Sequence, residues 1–306
     1  MALRVALVGI GKIALDQHVP AIAASPDWEL VATVSRKGRV PGVPGFTSFE
    51  AMLAAHSEVQ VVSLCLPPVP RFAPAEAALM AGRHVMLEKP PGATLAEVQA
   101  LEALAAARGL TLYATWHSRM ARAVAAAKGW LSGRRVLRAR IDWREDVRKW
   151  HPGQTWVFEP GGMGVFDPGI NALSILTEIL PAPVHLTGAV LSFPANRQTP
   201  IAAELTFTGG VSAGFDWRQE GPQTWDIEVE TAGGGRMALR MGGNVLEVDG
   251  HAEAGEADIM GEYPALYARM AALVRAGARE VDLAPMVHVA DAMTLGRREV
   301  VEDFHF

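Results

Sequence analysis

Arg4-Val5-Ala6-Leu7-Val8-Gly9-Ile10-Gly11-Lys12-Ile13-Ala14 is a short apolar run that breaks into G-x-G-x-x-A and leads on into helix-forming residues. The run reads as a buried strand, and the glycines as the turn joining it to a helix. The first glycine permits the tight turn, and the second lets the backbone approach a pyrophosphate. The small Ala14 allows close helix–strand packing. Free amides and the positive end of the helix dipole would then face the phosphates. Gly9, Ile10, Gly11, Lys12 and Ile13 are therefore assigned to a dinucleotide.

Working outward, further apolar runs fall at residues 30–34, 59–66, 84–87 and 110–114, separated by alanine-rich helical stretches such as 74–81 and 95–107. Thr94-Leu95-Ala96-Glu97 opens the latter with a capping box. Unbroken apolar strands alternating with helices predict a doubly wound parallel sheet covered on both faces. After about residue 119 the pattern changes. Strands are expected at 136–145, 184–193, 201–207, 211–217, 226–231, 237–241 and 245–249, several alternating in polarity and joined by Gly-rich turns. Helices are expected at 164–180, 263–276 and 286–300. The fold class is α/β: a Rossmann domain over 1–118, then a C-terminal α/β domain over 119–306 with a large open, mostly antiparallel sheet. This division leaves room for the C-terminal helix to pack back on the Rossmann domain.

Bulk composition narrows the function class. The 306 residues are 50% hydrophobic with a net charge of −5 and no basic block, which recommends neither nucleic acid nor an anionic membrane. No apolar run approaches the roughly 18 residues of a membrane helix. The single cysteine, Cys65, lies in an apolar run and reads as a buried core thiol; it can form no disulfide within the chain, which fits the cytoplasm.

The second strand ends Val34-Ser35-Arg36, where an NAD-specific site usually carries Asp or Glu. A carboxylate there would repel a 2′-phosphate, whereas a hydroxyl and a guanidinium can bind one, and Lys37 and Arg39 add charge. Ser35 and Arg36 thus favour NADP, with NAD bound more weakly. Leu66 and Pro67, after the third strand, and Glu88 and Lys89, after the fourth, complete the expected cofactor contacts.

Lys89, in Leu87-Glu88-Lys89-Pro90-Pro91, follows a parallel strand at its carboxyl end, the edge where ligands bind in such sheets. Gly161-Gly162-Met163-Gly164-Val165-Phe166-Asp167-Pro168-Gly169-Ile170-Asn171 puts Asp167 and Asn171 at i and i+4 on one helical face. Pro168 is best tolerated in a first helical turn, which places the pair near the helix start. Trp116 and His117 follow the fifth strand, and Glu145, Trp150 and His151 follow a strand of the second domain. Hydrogen-bonding side chains beside aromatic faces suit a sugar, although each His or Trp taken singly is as readily core. No spacing matches a metal site.

An N-terminal G-x-G-x-x-A followed by Glu-Lys-Pro resembles the glucose–fructose oxidoreductase/inositol dehydrogenase/MocA family over essentially the whole chain. The resemblance implies that Lys89 is catalytic and orients substrate. The family usually carries His four residues after the Asp, where this chain has Asn171. An amide cannot take up a proton as imidazole can, so acid–base work passes to Asp167 or Lys89. With Asp16-Gln17-His18, Thr115-Trp116-His117-Ser118, Glu145-Asp146-Val147-Arg148 and Trp150-His151-Pro152-Gly153-Gln154, the chain looks like the aldose 1-dehydrogenase branch, the NAD(P)-dependent L-arabinose and D-galactose 1-dehydrogenases.

That resemblance implies oxidation of a cyclic aldose to an aldonolactone, with hydride passing to nicotinamide and no metal. Lys89, Asp167 and Asn171 are the expected catalytic group. Lys89, Trp116, His117, Glu145, Trp150, His151, Asp167 and Asn171 are the expected sugar contacts. Asp167 is assigned the proton and Lys89 the hydroxyl; the reverse allocation fits the same residue types. Another polyol dehydrogenase, of inositol or dihydrodiol type, and a non-catalytic sugar sensor are the alternatives on this fold. An open, partly apolar sheet face points to a homodimer.

Overall fold

The computed structural model describes residues 1–255 and 261–306. It divides into two compact units, the first made of residues 1–117 and 263–282 and the second of 118–262 and 283–306. The chain thus returns to its first unit late.

The first unit contains β1 (Leu3–Val8), α1 (Val19–Ala23), β2 (Trp28–Val34), β3 (Gly45–Phe46), α2 (Phe49–Ala55), β4 (Val61–Leu64), α3 (Phe72–Met80), β5 (His84–Leu87), α4 (Leu95–Ala107) and β6 (Leu112–Ala114). All six strands are parallel, in the order β3-β2-β1-β4-β5-β6. Strands covered on both faces must be apolar throughout. Accordingly all four residues of β4 and five of the six in β1 are buried. The order reverses beside β1, which is where an open α/β sheet forms its ligand crevice. α4 starts as its capping box requires, with Thr94 Oγ1 accepting from the Glu97 N–H at 3.2 Å. Cys65 lies one residue beyond β4 and is half-buried, so the fully buried thiol expected of it is corrected: the covered strand ends at Leu64.

The second unit contains α5 (Val124–Leu131), β7 (Val136–Arg144), α6 (Val147–Trp150), α7 (Phe166–Ile179), β8 (Leu186–Pro194), β9 (Ala202–Phe207), β10 (Val211–Asp216), β11 (Thr224–Thr231), β12 (Arg236–Arg240), β13 (Val245–Val248) and β14 (His251–Gly255). α8 (Glu262–Ala276) belongs to the first unit from Tyr263 onward, whereas α9 (Ala284–Leu295) and β15 (Arg297–Val301) close the second. Nine strands form an open sheet in the order β14-β13-β12-β11-β7-β10-β9-β8-β15. It is mixed, since β10 runs parallel to β7 and β15 parallel to β8, while the other pairs are antiparallel. The core lies on one face, where α7 contributes Phe166, Leu173 and Leu176 against Ile141, Trp143, Phe215 and Ile227.

Two expectations are corrected here. The final helix does not run to residue 300: it stops at Leu295, and β15 pairs with β8. A Cβ at Gly296 would meet the Ala292 carbonyl oxygen at 2.4 Å, and the β-branched Val300 and Val301 suit an edge strand. The sheet face opposite the helices is charged rather than partly apolar. Arg144 pairs with Asp142 at 2.6 Å, and Arg240 reaches Asp226 and Glu228, both at 2.8 Å. Among the described residues no helix is long and apolar enough to cross a membrane.

Candidate active site

The glycine turn has the shape a dinucleotide needs. Gly9 adopts φ +92°, and a Cβ there would meet the Leu66 backbone nitrogen at 2.9 Å, so the turns after β1 and β4 touch. A Cβ on Gly11 would meet nothing within 4 Å, which leaves its backbone open to an approaching phosphate. Beyond β2, Ser35 Oγ accepts from the Gly38 N–H at 3.1 Å, and Arg36 and Lys37 are exposed. Gly38 packs so tightly on Ile10 that a Cβ would lie 2.1 Å from its carbonyl oxygen. These observations fit NAD(P), which Gly9 to Ile13 would hold at the pyrophosphate and Ser35 and Arg36 at the adenosine ribose.

Lys89 lies two residues past the end of β5, and its peptide bond to Pro90 is cis. The preceding Glu88 is buried, and its carboxylate accepts from Tyr263 Oη at 2.7 Å, the Lys89 N–H at 2.7 Å and His18 Nε2 at 3.1 Å. Burial opposes ionisation of Glu88, but the hydrogen bond and charge of His18, with help from His117 and Tyr263, hold the carboxyl well below the usual carboxylate range. Burial likewise opposes an imidazolium at His18. Cys65, Tyr267 and Glu88 act in the other sense, and the net pKa lies well above that of an ordinary histidine. His117 stacks on Tyr263 with centroids 5.6 Å apart. Trp116 is buried and donates its indole N–H to the Asp282 carbonyl at 3.0 Å.

In the second unit Asp167 stands in the first turn of α7, its side chain 13% exposed. His151 Nε2 lies 3.0 Å from Asp167 Oδ2. His151 is set by local chemistry: Asp146 caps α6 through the Arg148 N–H at 2.9 Å, and His151 ends that short helix. Gln154 Oε1 accepts the Trp156 indole N–H at 3.1 Å and lies 3.3 Å from His151 Nδ1. Asn171 is half-buried one turn further along α7, and the imidazole beside Asp167 is that of His151. Glu145 is buried, and its two oxygens accept from Trp217 Nε1 at 3.1 Å and Trp225 Nε1 at 3.0 Å. Trp150 packs on Trp225 with centroids 5.9 Å apart, and its own indole N–H is buried with no protein acceptor among the described residues.

The structure therefore brings Asp167 together with His151, and links Glu145 to Trp150 through Trp225. Sequence reasoning gave no role to His18, Arg71, Tyr263, Trp217 or Trp225. His18 lies seven residues past Gly11, but nothing local to it or to the distant tyrosine reveals that both reach Glu88. Among the described residues no group of three or more His, Cys, Asp and Glu could hold a metal.

Residues 3–115 match the model of an oxidoreductase family with an NAD-binding Rossmann fold, GFO_IDH_MocA. The chain is 41% identical over 311 residues to the galactose 1-dehydrogenase of Pseudomonas fluorescens, covering 99% of both chains. A crystal structure of D-galactose-1-dehydrogenase from Rhizobium etli is 54% identical, with a TM-score of 0.94 over 99% of this chain and 98% of that one. A mutant of a 3-ketoreductase from Actinomadura kijaniata, in complex with TDP-benzene and NADP, shares the fold at 21% identity, with a TM-score of 0.85 over 98% of this chain and all of that one. With relatives this similar from end to end, the chain belongs to the glucose–fructose oxidoreductase/inositol dehydrogenase/MocA family and is an NAD(P)-dependent oxidoreductase.

Proposed function

We propose that this enzyme oxidises the anomeric carbon of D-galactopyranose, and of L-arabinopyranose, to the aldonolactone. The observation that carries the reading is the Asp167–His151 pair, a carboxylate 3.0 Å from an imidazole, in the unit whose half-buried Trp150 has an indole N–H with no acceptor among the described residues. The full-length likeness to galactose 1-dehydrogenases supports it. The nicotinamide, when bound, supplies the hydride acceptor. Asp167 accepts the C1 hydroxyl proton as the hydride leaves, and His151 holds the carboxylate in place and shares that proton. Lys89 donates a hydrogen bond to the substrate hydroxyl. Trp150 and Asn171 read ring hydroxyls, and Glu145 orients the aromatic wall through its two indole partners.

The same reading prefers NADP to NAD, since exposed Arg36 and Lys37 follow a β2 that ends without a carboxylate. It makes the enzyme a cytoplasmic homodimer. Light scattering tests the second part: a monomer mass would remove it. The test of function is turnover of a panel of free aldoses with each cofactor, read by absorbance of the reduced form. D-Galactose and L-arabinose should react, and D-glucose at least ~10-fold more slowly, about one hydrogen bond's worth of discrimination at C4. Equal turnover of glucose and galactose would remove C4 recognition from the account.

A further inference from the structure

Lys89 sits where the main chain is gripped from both sides by buried charged side chains. On one side the Glu88 carboxylate accepts the Lys89 N–H at 2.7 Å and is itself held by Tyr263 at 2.7 Å and His18 at 3.1 Å. On the other side Arg71, only 2% exposed, donates through Nη1 to the carbonyls of Glu88 and Pro90, the residues flanking Lys89. The same guanidinium donates to the Leu66 carbonyl through Nε at 3.1 Å and through Nη2. One side chain therefore ties the loop after β4 to the loop after β5. Burying a guanidinium and a carboxylate is costly unless their hydrogen bonds are met, and a lysine that only decorates a surface loop needs neither. The planar fork is the group that can span three carbonyls at once; an ammonium is a point donor on a flexible stem.

We propose that Arg71 and Glu88 are positioning residues that fix the Lys89 ammonium for hydride transfer and hold the Leu66–Pro67 cofactor loop in register with it. The proposal rests on the reading of Lys89 as catalytic. Its consequence is that small displacements of this loop lower turnover: a misplacement of ~1 Å typically costs on the order of 10²-fold. In Glu88→Gln the amide NH2 would confront a donor, so the Lys89 N–H, Tyr263 and His18 could no longer all be accepted.

The test compares Lys89→Ala, Glu88→Gln, Arg71→Lys and Arg71→Ala by kcat, sugar KM, cofactor affinity from fluorescence quenching, and circular dichroism to establish the folded fraction. Glu88→Gln should lower kcat per folded molecule by ~10- to 100-fold with sugar KM unchanged. Arg71→Ala should lose both kcat and cofactor affinity. Millimolar guanidinium should restore part of each, whereas an equal concentration of sodium chloride should not. Arg71→Lys should remain impaired. Should Arg71→Ala fail to fold, Arg71→Lys and Glu88→Gln carry the test. Near-native kcat in those two beside an inactive Lys89→Ala would overturn the proposal. A folded Arg71→Ala that guanidinium does not restore would overturn the part assigned to Arg71. Near-native turnover in Lys89→Ala would instead remove the catalytic reading of Lys89 on which the proposal stands.

Discussion

Asp167→Asn separates chemistry from stability, because it keeps the shape of the side chain and removes only its charge and basicity. A positioned acid or base contributes ~10²–10⁴-fold, equivalent to ~2.7–5.4 kcal/mol at 1.36 kcal/mol per decade. The loss to the fold is smaller. His151 Nε2 can still hydrogen-bond the Asn side chain across the present 3.0 Å, because the amide offers both a donor and an acceptor. A hydrogen bond to a charged group is worth ~1.5–3 kcal/mol against ~0.5–1.5 for a neutral one, so the exchange costs about 1 kcal/mol. Solvent at side chains 20% and 13% exposed reduces that further. The melting temperature should therefore fall by less than ~4 °C, while kcat falls by ~10²–10⁴ with cofactor binding intact. Stopped-flow absorbance of the reduced cofactor, beside a thermal melt, measures both. A variant with near-native kcat would make Asp167 a structural residue and refute the assignment.

The other perturbations fall on separate parts of the molecule. Arg36→Ala should weaken NADP by ~10- to 100-fold, the scale of a charged hydrogen bond, and leave NAD nearly unchanged in fluorescence titrations; equal losses would remove the phosphate contact. Gly38→Ala should destabilise the fold by ~1–3 kcal/mol, since the new Cβ meets a backbone oxygen 2.1 Å away, and should weaken both cofactors together. Glu145→Gln should cost ~1–3 kcal/mol, because its amide NH2 would face an indole N–H and leave a buried donor unpaired. For the His18–Glu88 pair the signs are opposite. The raised His18 pKa gives stability that is complete below 6.5 and lost as pH rises through the folded value, and the lowered Glu88 pKa gives stability present above 4.5 and lost as pH falls. His18→Gln should therefore lower the melting temperature most between about 4.5 and 6.5 and progressively less above that window. A loss uniform with pH would show that the pair carries no charge.

Much of this molecule is legible locally. The G-x-G-x-x-A turn, the four apolar residues of β4 and the Thr94 capping box each act through neighbours within a few positions, so their sequence pattern states their structure. Partners distant in sequence leave no such trace. Glu88 is held by residues 70 and 175 positions away, and nothing near Tyr263 in the chain says that it returns to the Rossmann unit. The departure at Asn171 is visible in the sequence, but the placing of His151 beside Asp167 is not, because the two are brought together by the fold and not by helical spacing. Helical periodicity likewise ran past Gly296 into residues whose β-branched character suits the edge of the sheet.

The most direct test of the account follows the hydrogen itself. D-Galactose carrying deuterium at C1 is incubated with the enzyme and NADP, and the reduced cofactor and sugar product are weighed by mass spectrometry. The account predicts one deuterium in the reduced nicotinamide, none in the lactone, and a slower hydride step than with unlabelled sugar. Reduced cofactor without deuterium would place the oxidation at another carbon. No reduction by any aldose, with NADP bound, would contradict the assignment of this site to sugar oxidation.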